Sequence, residues 1–354
     1  MVLLQGGWAP SSGRRAVLRA CTATYPTAPY RQGMADRDSI AGTAGGDSTA
    51  GTADGNSTAG TAGGHVRLGT AVLTRVVEMM FEPSAAVFGQ TPAQAWTDNA
   101  ELLVPTFYRP DTQKWRVSVQ SWVIDVDGLR IVVDTGVGNG RRRTIPVLDQ
   151  LNTDFAAALG RAGVPPESVD VVVNTHLHSD HVGWNTWRVD DAWVPFFPNA
   201  RYLFPAADFR FFEPGGTGHD EATALVFDDS IAPVYAAGQV EMFSGDHQLS
   251  ESVWLRPAPG HTPGSSVVWL DAGTPAVFVG DLTHCPIQIP RPDDACAFDV
   301  DGPAAAATRR RIFTEAARRR AAVVPAHYPG HGGATIVARG DAFMVDDWLD
   351  LEPI

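Results

Sequence analysis

Residues 171–184 read Val-Val-Val-Asn-Thr-His-Leu-His-Ser-Asp-His-Val-Gly-Trp. The valine run, led in by Val169, has the composition of a short strand buried on both faces. Its exit carries His176, His178, Asp180 and His181, metal-capable side chains that a strand end has no structural need of. In extended chain, residues i and i+2 project to one side, so His176 and His178 face the same way and can share an ion. Asp180 and His181 lie beyond the strand, where the chain turns. They approach from another direction and suit a second, neighbouring ion. Imidazole with carboxylate favours zinc, with manganese, iron or cobalt as substitutes.

Three more ligand-type residues each stand beside the end of an expected strand. His261 sits in Pro-Gly-His-Thr-Pro-Gly before an expected strand at 265–270. Asp281 follows one at 276–280, and His327 follows one at 321–326. Added to the first cluster they complete two sets. His176, His178 and His261 fill one metal site, Asp180, His181 and His327 fill the other, and Asp281 bridges both. That arrangement leaves room for a water between the ions.

Farther out, periodicity predicts strands over 66–80, 115–126, 129–134, 201–204, 239–243 and 252–257, and helices over 145–160 and 304–321. Residues 41–64 repeat Ala-Gly-Thr-Ala with small residues, which cannot bury enough surface to order a chain. The expected division is a low-complexity tail over 1–64 and one α/β domain over 65–354. Met34 is a candidate alternative start. A net charge of −13 argues against a nucleic-acid surface, and the runs at 141–143, 309–311 and 318–320 are read as solvated arginines. No apolar stretch reaches the roughly 18 residues of a membrane span. Gly13–Arg19 resembles a twin-arginine export signal, but the segment after it is too polar and short for a signal core. The three cysteines, Cys21, Cys285 and Cys296, make no disulfide framework, and a cytoplasmic setting is expected.

The His-x-His-x-Asp-His motif at 176–181, with His261, Asp281 and His327 in order behind it and Val-Val-Asp134-Thr-Gly ahead of it, resembles the metallo-β-lactamase-fold hydrolases over about residues 66–340. The resemblance implies an α/β fold of four layers, an αββα sandwich of two mixed sheets flanked by helices, with two metals at one edge. Gly280–Gln288, the helix with Thr308–Phe313 and Ala326-His-Tyr-Pro-Gly-His-Gly resemble the branch holding methyl parathion hydrolase and N-acyl-homoserine lactonases. Relatives in that branch imply a homodimer. Binuclear class B β-lactamases place a cysteine where this chain has Asp281, which disfavours penicillin hydrolysis. Flavodiiron enzymes have glutamate where this chain has His178.

These residues predict a binuclear hydrolase, with two Zn2+ (or Mn2+, Co2+ or Fe2+) activating a bridging hydroxide that attacks a lactone, a carboxylic ester or a phosphotriester. Asp180 is expected to carry the proton toward the leaving group. His284 and His331 are read either as substrate contacts and proton relays or as supports for the ligands, with His284 given the catalytic part. Asp134 is either a support for a ligating histidine or an ordinary turn residue. Trp184, Trp187, Phe107, Tyr108 and Phe81 are candidate walls of an apolar pocket, while His65, His219 and His247 fit no metal spacing. An iron-dependent oxidoreductase of the persulfide dioxygenase kind, a glyoxalase II-like thioesterase and a non-catalytic metal binder are the alternatives.

Overall fold

A computed structural model describes residues 64–353. The repeat tail (apart from Gly64), the Gly13–Arg19 run and Cys21 lie outside the described residues.

Two sheets form the centre. The first has eight strands, ordered Val240–Phe243, Arg201–Pro205, Val171–Val173, Leu129–Val133, Val117–Val126, Ala71–Phe81, Gly64–Leu68 and Glu352–Pro353. Its first four strands run parallel and the others antiparallel. The second has seven, ordered His247–Gln248, Val253–Pro257, Ser266–Asp271, Pro275–Gly280, Ala322–Pro325, Ala334–Arg339 and Ala342–Trp348. Only its Pro275–Gly280 and Ala322–Pro325 pair is parallel.

Strand alternation decides the layers. Val171 and Val173 point into the core between the sheets, with Ile131, Val133, Val268, Phe278 and Val324. Val172 points the other way, into a layer with Phe155, Leu159, Phe212, Val226 and Val234 from the covering helices. Across the molecule, Ile312, Phe313 and Ala316 of the Gly302–Arg319 helix pack on Val267, Trp269, Val277, Val279 and Val323 of the second sheet. Helix, sheet, sheet, helix is the four-layer sandwich expected. Among the described residues no helix is long and apolar enough to cross a membrane.

Local differences from the sequence reading have local causes. The run at 66–80 folds back as two strands, with Leu68 opposite Ala71. The stretch at 145–160 is not one helix. It is a 3-10 turn at Pro146–Leu148 and a helix at Phe155–Arg161. Between them the polar groups bond elsewhere: the Arg143 amide donates to Asp149 at 2.7 Å, and the Thr153 amide donates to Asn139 at 2.8 Å. Side-chain bonds of that kind compete with a helix. The long helix runs over Gly302–Arg319, capped by Asp301 accepting from the Ala304 amide and closed by Arg320 in the left-handed conformation.

The arginine runs are not uniformly solvated, which corrects the expectation. Arg141, Arg143 and Arg309 are buried. Arg309 donates to the carbonyls of Leu282, Pro292 and Asp294. Arg141 and Arg143 converge on Asp229, which lies in a π-helical turn at Phe227–Ile231.

Candidate metal centre

The loops that leave three parallel strands carry six of the seven candidate ligands, and His261 comes from the turn between the antiparallel strands Val253–Pro257 and Ser266–Asp271. The His176–His181 turn follows Val171–Val173, Asp281 follows Pro275–Gly280, and His327 follows Ala322–Pro325. The last two strands are parallel neighbours, so Asp281 and His327 emerge at the same edge. The Ser266 amide donates to the Thr175 carbonyl at 2.9 Å and joins the exits of the two sheets there. Gly280, just before Asp281, has φ +50°, and a Cβ there would meet the Thr175 hydroxyl at 2.5 Å. Only glycine lets this strand end pass so close to the histidine loop.

All seven side chains singled out as ligands come together, in two groups. In the first, the Nδ1 of His178 lies 3.1 Å from His176 Nε2 and 3.0 Å from His261 Nε2. Asp281 Oδ2 stands 3.8 Å from His176 Nε2 and 3.4 Å from His261 Nε2. In the second, Asp180 lies 3.8 Å from His181 and 3.5 Å from His327, each at Nε2. Asp281 Oδ1 faces the same two rings at 3.2 and 3.0 Å. One carboxylate thus turns one oxygen to each group.

The far nitrogens are held from behind. Asp134 Oδ2 accepts from His181 Nδ1 at 2.8 Å and from the Thr175 hydroxyl at 2.8 Å. That hydroxyl lies 3.1 Å from His176 Nδ1, and because it donates to Asp134 it accepts from the ring. Asp134 is therefore a support for the histidines, not merely a turn residue. His261 Nδ1 lies 3.0 Å from Asp299, which is itself 3.7 Å from buried Arg309. His327 donates to the Ser118 carbonyl at 3.0 Å. Each such bond places the proton on Nδ1 and leaves the Nε2 lone pair turned inward. Thr175, Asp299, Arg309 and Ser118 were missed by sequence reading. None stands in a metal spacing, and each acts through a partner distant in the chain or through its backbone.

The donor set fits cations. His181 Nε2 and Asp281 Oδ1 are buried without a hydrogen-bond partner, as are both ring nitrogens of His284, and buried polar atoms left so are costly. Burial holds the His176 ring proton affinity well below its usual range, pulls His178 down to about 3 and lowers His261. These rings are therefore neutral, the ligating form. His181 behaves oppositely. Burial alone would lower it, but Asp281, Asp134 and Asp180 together raise it well above its usual range. Surrounded by carboxylates, that position calls for positive charge, which a proton or a metal supplies.

A cavity of about 620 Å³ opens over the cluster, reaching His178, Asp180, His261, Asp281, His284 and His327. Its apolar walls include Phe81, Trp115, Leu177, Phe212, Ile231 and Phe298. Of the five aromatics expected to line a pocket, only Phe81 lines this one, and Trp184 and Trp187 border a separate cavity beside Arg141 and Arg188. Trp184 packs on Phe155 in the helical layer beside Trp187, and Phe107 and Tyr108 lie in the core under the second sheet. His284 borders the cavity, with Nε2 3.2 Å from Asp281 Oδ2 and its ring parallel to His327. His331 does not line that cavity. It bonds the Leu349 carbonyl and stacks on Trp348. His65 pairs with Glu352, His219 with the Phe212 carbonyl and His247 with Glu241, all apart from the metal groups. Cys285 and Cys296 are free and buried.

Imidazoles and carboxylates meeting at the edge of an αββα sandwich define a class of metal-dependent enzyme fold. This chain belongs to the metallo-beta-lactamase superfamily, whose sequence profile matches residues 115–331. Among solved structures it is similar to the hydrolase AbOPH of the beta lactamase superfamily (TM-score 0.68, 21% identity, covering 84% of this chain and 99% of that one). It is also similar to AidC, a dizinc quorum-quenching lactonase in complex with its N-hexanoyl-L-homoserine product (0.65, 19%, 82% and 99%). A probable metal-dependent hydrolase from Staphylococcus aureus matches as well (0.67, 15%, 80% and 98%). At these identities the likeness is one of fold.

Proposed function

We propose that this chain is a hydrolase requiring two divalent cations, zinc first, and acting on small ester-like substrates: lactones and carboxylic esters foremost, phosphotriesters as a side activity. The observation that carries this reading is Asp281, whose two oxygens face the two histidine groups from between them. Bound cations would supply Lewis acidity, polarise a substrate oxygen and make hydroxide available near neutral pH.

The protein's own residues do the rest. His176, His178 and His261 would hold one ion, Asp180, His181 and His327 the other, and Asp281 would reach both. Asp134, Asp299 and the Ser118 carbonyl keep the imidazoles in the ligating tautomer and orientation. Asp180 is half-buried and reaches the cavity, so it can take a proton from the nucleophile and pass it to the departing oxygen. His284 edges the same space. Burial disfavours its charge, but Cys296 and Asp281 beside it outweigh burial and raise its proton affinity well above the usual range. Its place at the cavity edge is what supports its reading as a donor to a substrate oxygen or leaving group. The apolar walls exclude water and accept an acyl or aryl group. Lactonase activity as the leading substrate choice draws on AidC and on a second structural relative, an N-acyl homoserine lactone hydrolase with product at its metal centre (TM-score 0.53, 14% identity).

The test is a panel of acyl-homoserine lactones, aryl esters, phosphotriesters and glutathione thioesters, assayed before and after chelation and after return of zinc, manganese or cobalt. Lactone or ester turnover that chelation abolishes and metal restores is expected. Undiminished turnover by fully metal-free protein contradicts the proposal, as does a single iron with oxygen uptake. A strong preference for the thioester would move the substrate assignment to glutathione thioesters.

A further inference from the structure

One buried acid has no part in the centre as described. Asp208 lies in the first turn of the Ala206–Phe212 helix, is wholly buried, and makes all its hydrogen bonds to neutral donors. Its Oδ2 accepts from the Leu177 amide at 3.1 Å and from the Thr262 hydroxyl at 2.9 Å, and its Oδ1 accepts from the Gly264 amide at 2.5 Å. Burial pushes the carboxyl up to about 6, so at neutral pH the fold holds a charge there against its desolvation cost.

The donors explain why. Leu177 stands between His176 and His178, and Thr262 follows His261. The carboxylate therefore clasps the backbone of both loops that supply imidazoles to the first group, where His178 and His261 approach to 3.0 Å. The loop around Thr262 is shaped for the clasp. The Ser265 hydroxyl accepts from the Thr262 amide at 3.0 Å and lies 2.7 Å from the Thr262 hydroxyl. At Gly264 a Cβ would meet Asp208 Oδ1 at 2.6 Å, so only glycine admits the acid. The second group makes no bond to Asp208. It is held through Asp134 and the Ser118 carbonyl.

The structure assigns Asp208 as a positioning residue for one half of the centre: it fixes the His176–His178 loop against the His261 loop and sets the metal affinity of that half alone. This rests on the two-metal reading above. In Asp208→Asn an NH2 group replaces one acceptor oxygen and must face an amide or hydroxyl donor, so at least one clasp bond is lost.

The experiment is a zinc titration against a competing chelator, followed by metal content after dialysis, for wild type, Asp208→Asn and Thr262→Val. The valine variant removes one donor and leaves the acid in place. Wild type is expected to show two steps. In Asp208→Asn one step weakens about 10–100-fold, the usual cost of losing an outer support, while the other does not move and dialysis leaves one ion. Thr262→Val shifts the same step less. Equal weakening of both steps, or no change in either variant, overturns the assignment while leaving the two-metal reading intact. If Asp208→Asn does not fold, Thr262→Val decides by the same criterion. Wild type that binds no zinc overturns that reading and the assignment with it.

Discussion

Two clusters of buried charge border the same cavity, and they are built on opposite plans. In one, Arg143 donates to both oxygens of Asp229, at 2.7 and 3.0 Å, and Arg141 donates to Asp229 at 3.0 Å and to the Thr186 carbonyl at 2.6 Å. Burial lowers Arg141 to about 10, so it stays charged, and its terminal nitrogens meet acceptors, while the Nε of Arg141 and of Arg143 is buried without a partner. In the other, imidazole lone pairs and carboxylate oxygens turn toward one another. Acceptors face acceptors, and the only donors are at the back of the rings. The first cluster has its charges paired without a ligand and fixes the 141–143 loop to the 227–231 turn. The second has the donor arrangement of a cation site. Buried charge alone does not mark function. The direction in which the polar atoms point does.

The comparison breaks most readily at Asp229. Asp229→Ala leaves two buried guanidiniums without their counter-charge, which costs about 3–5 kcal/mol. Urea unfolding of metal-free protein measures it. A loss under about 1 kcal/mol would mean the network is not the structural staple inferred here. A smaller and different effect is expected at the open cluster. Asp134→Asn removes the charged acceptor shared by His181 and Thr175, and through Thr175 the support of His176. Because it backs both groups, both steps of a zinc titration should weaken by about 10–100-fold. That sets it apart from a substitution at Asp208. If only one step moved, the link through Thr175 to His176 would be wrong.

The convergence of the candidate ligands was legible because its signal is local and periodic. His176 and His178 share a face by strand parity, and each remaining ligand stands at a strand exit that the apolar pattern reveals. The layers were legible for the same reason: Val171–Val173 can only be a strand buried on both sides. What stayed hidden depends on partners far away in sequence. Arg141-Arg142-Arg143 reads as solvent-facing until Asp229, some 86 positions from Arg143, is folded against it. Phe212, Ile231 and Phe298 become cavity walls only when a helix end, a π-helical turn and a loop meet, so composition pointed instead to Trp184 and Phe107, which pack in the interior. Asp208 carries no spacing signal. Its meaning lies in the two loops it joins.

The central claim is that Asp281 stands between two cations. Anomalous diffraction from crystals of zinc-loaded protein tests it most directly. Two peaks are expected, one among His176, His178 and His261 and one among Asp180, His181 and His327, each within coordination distance of a different Asp281 oxygen. A single peak, or peaks out of reach of that carboxylate, would contradict the account.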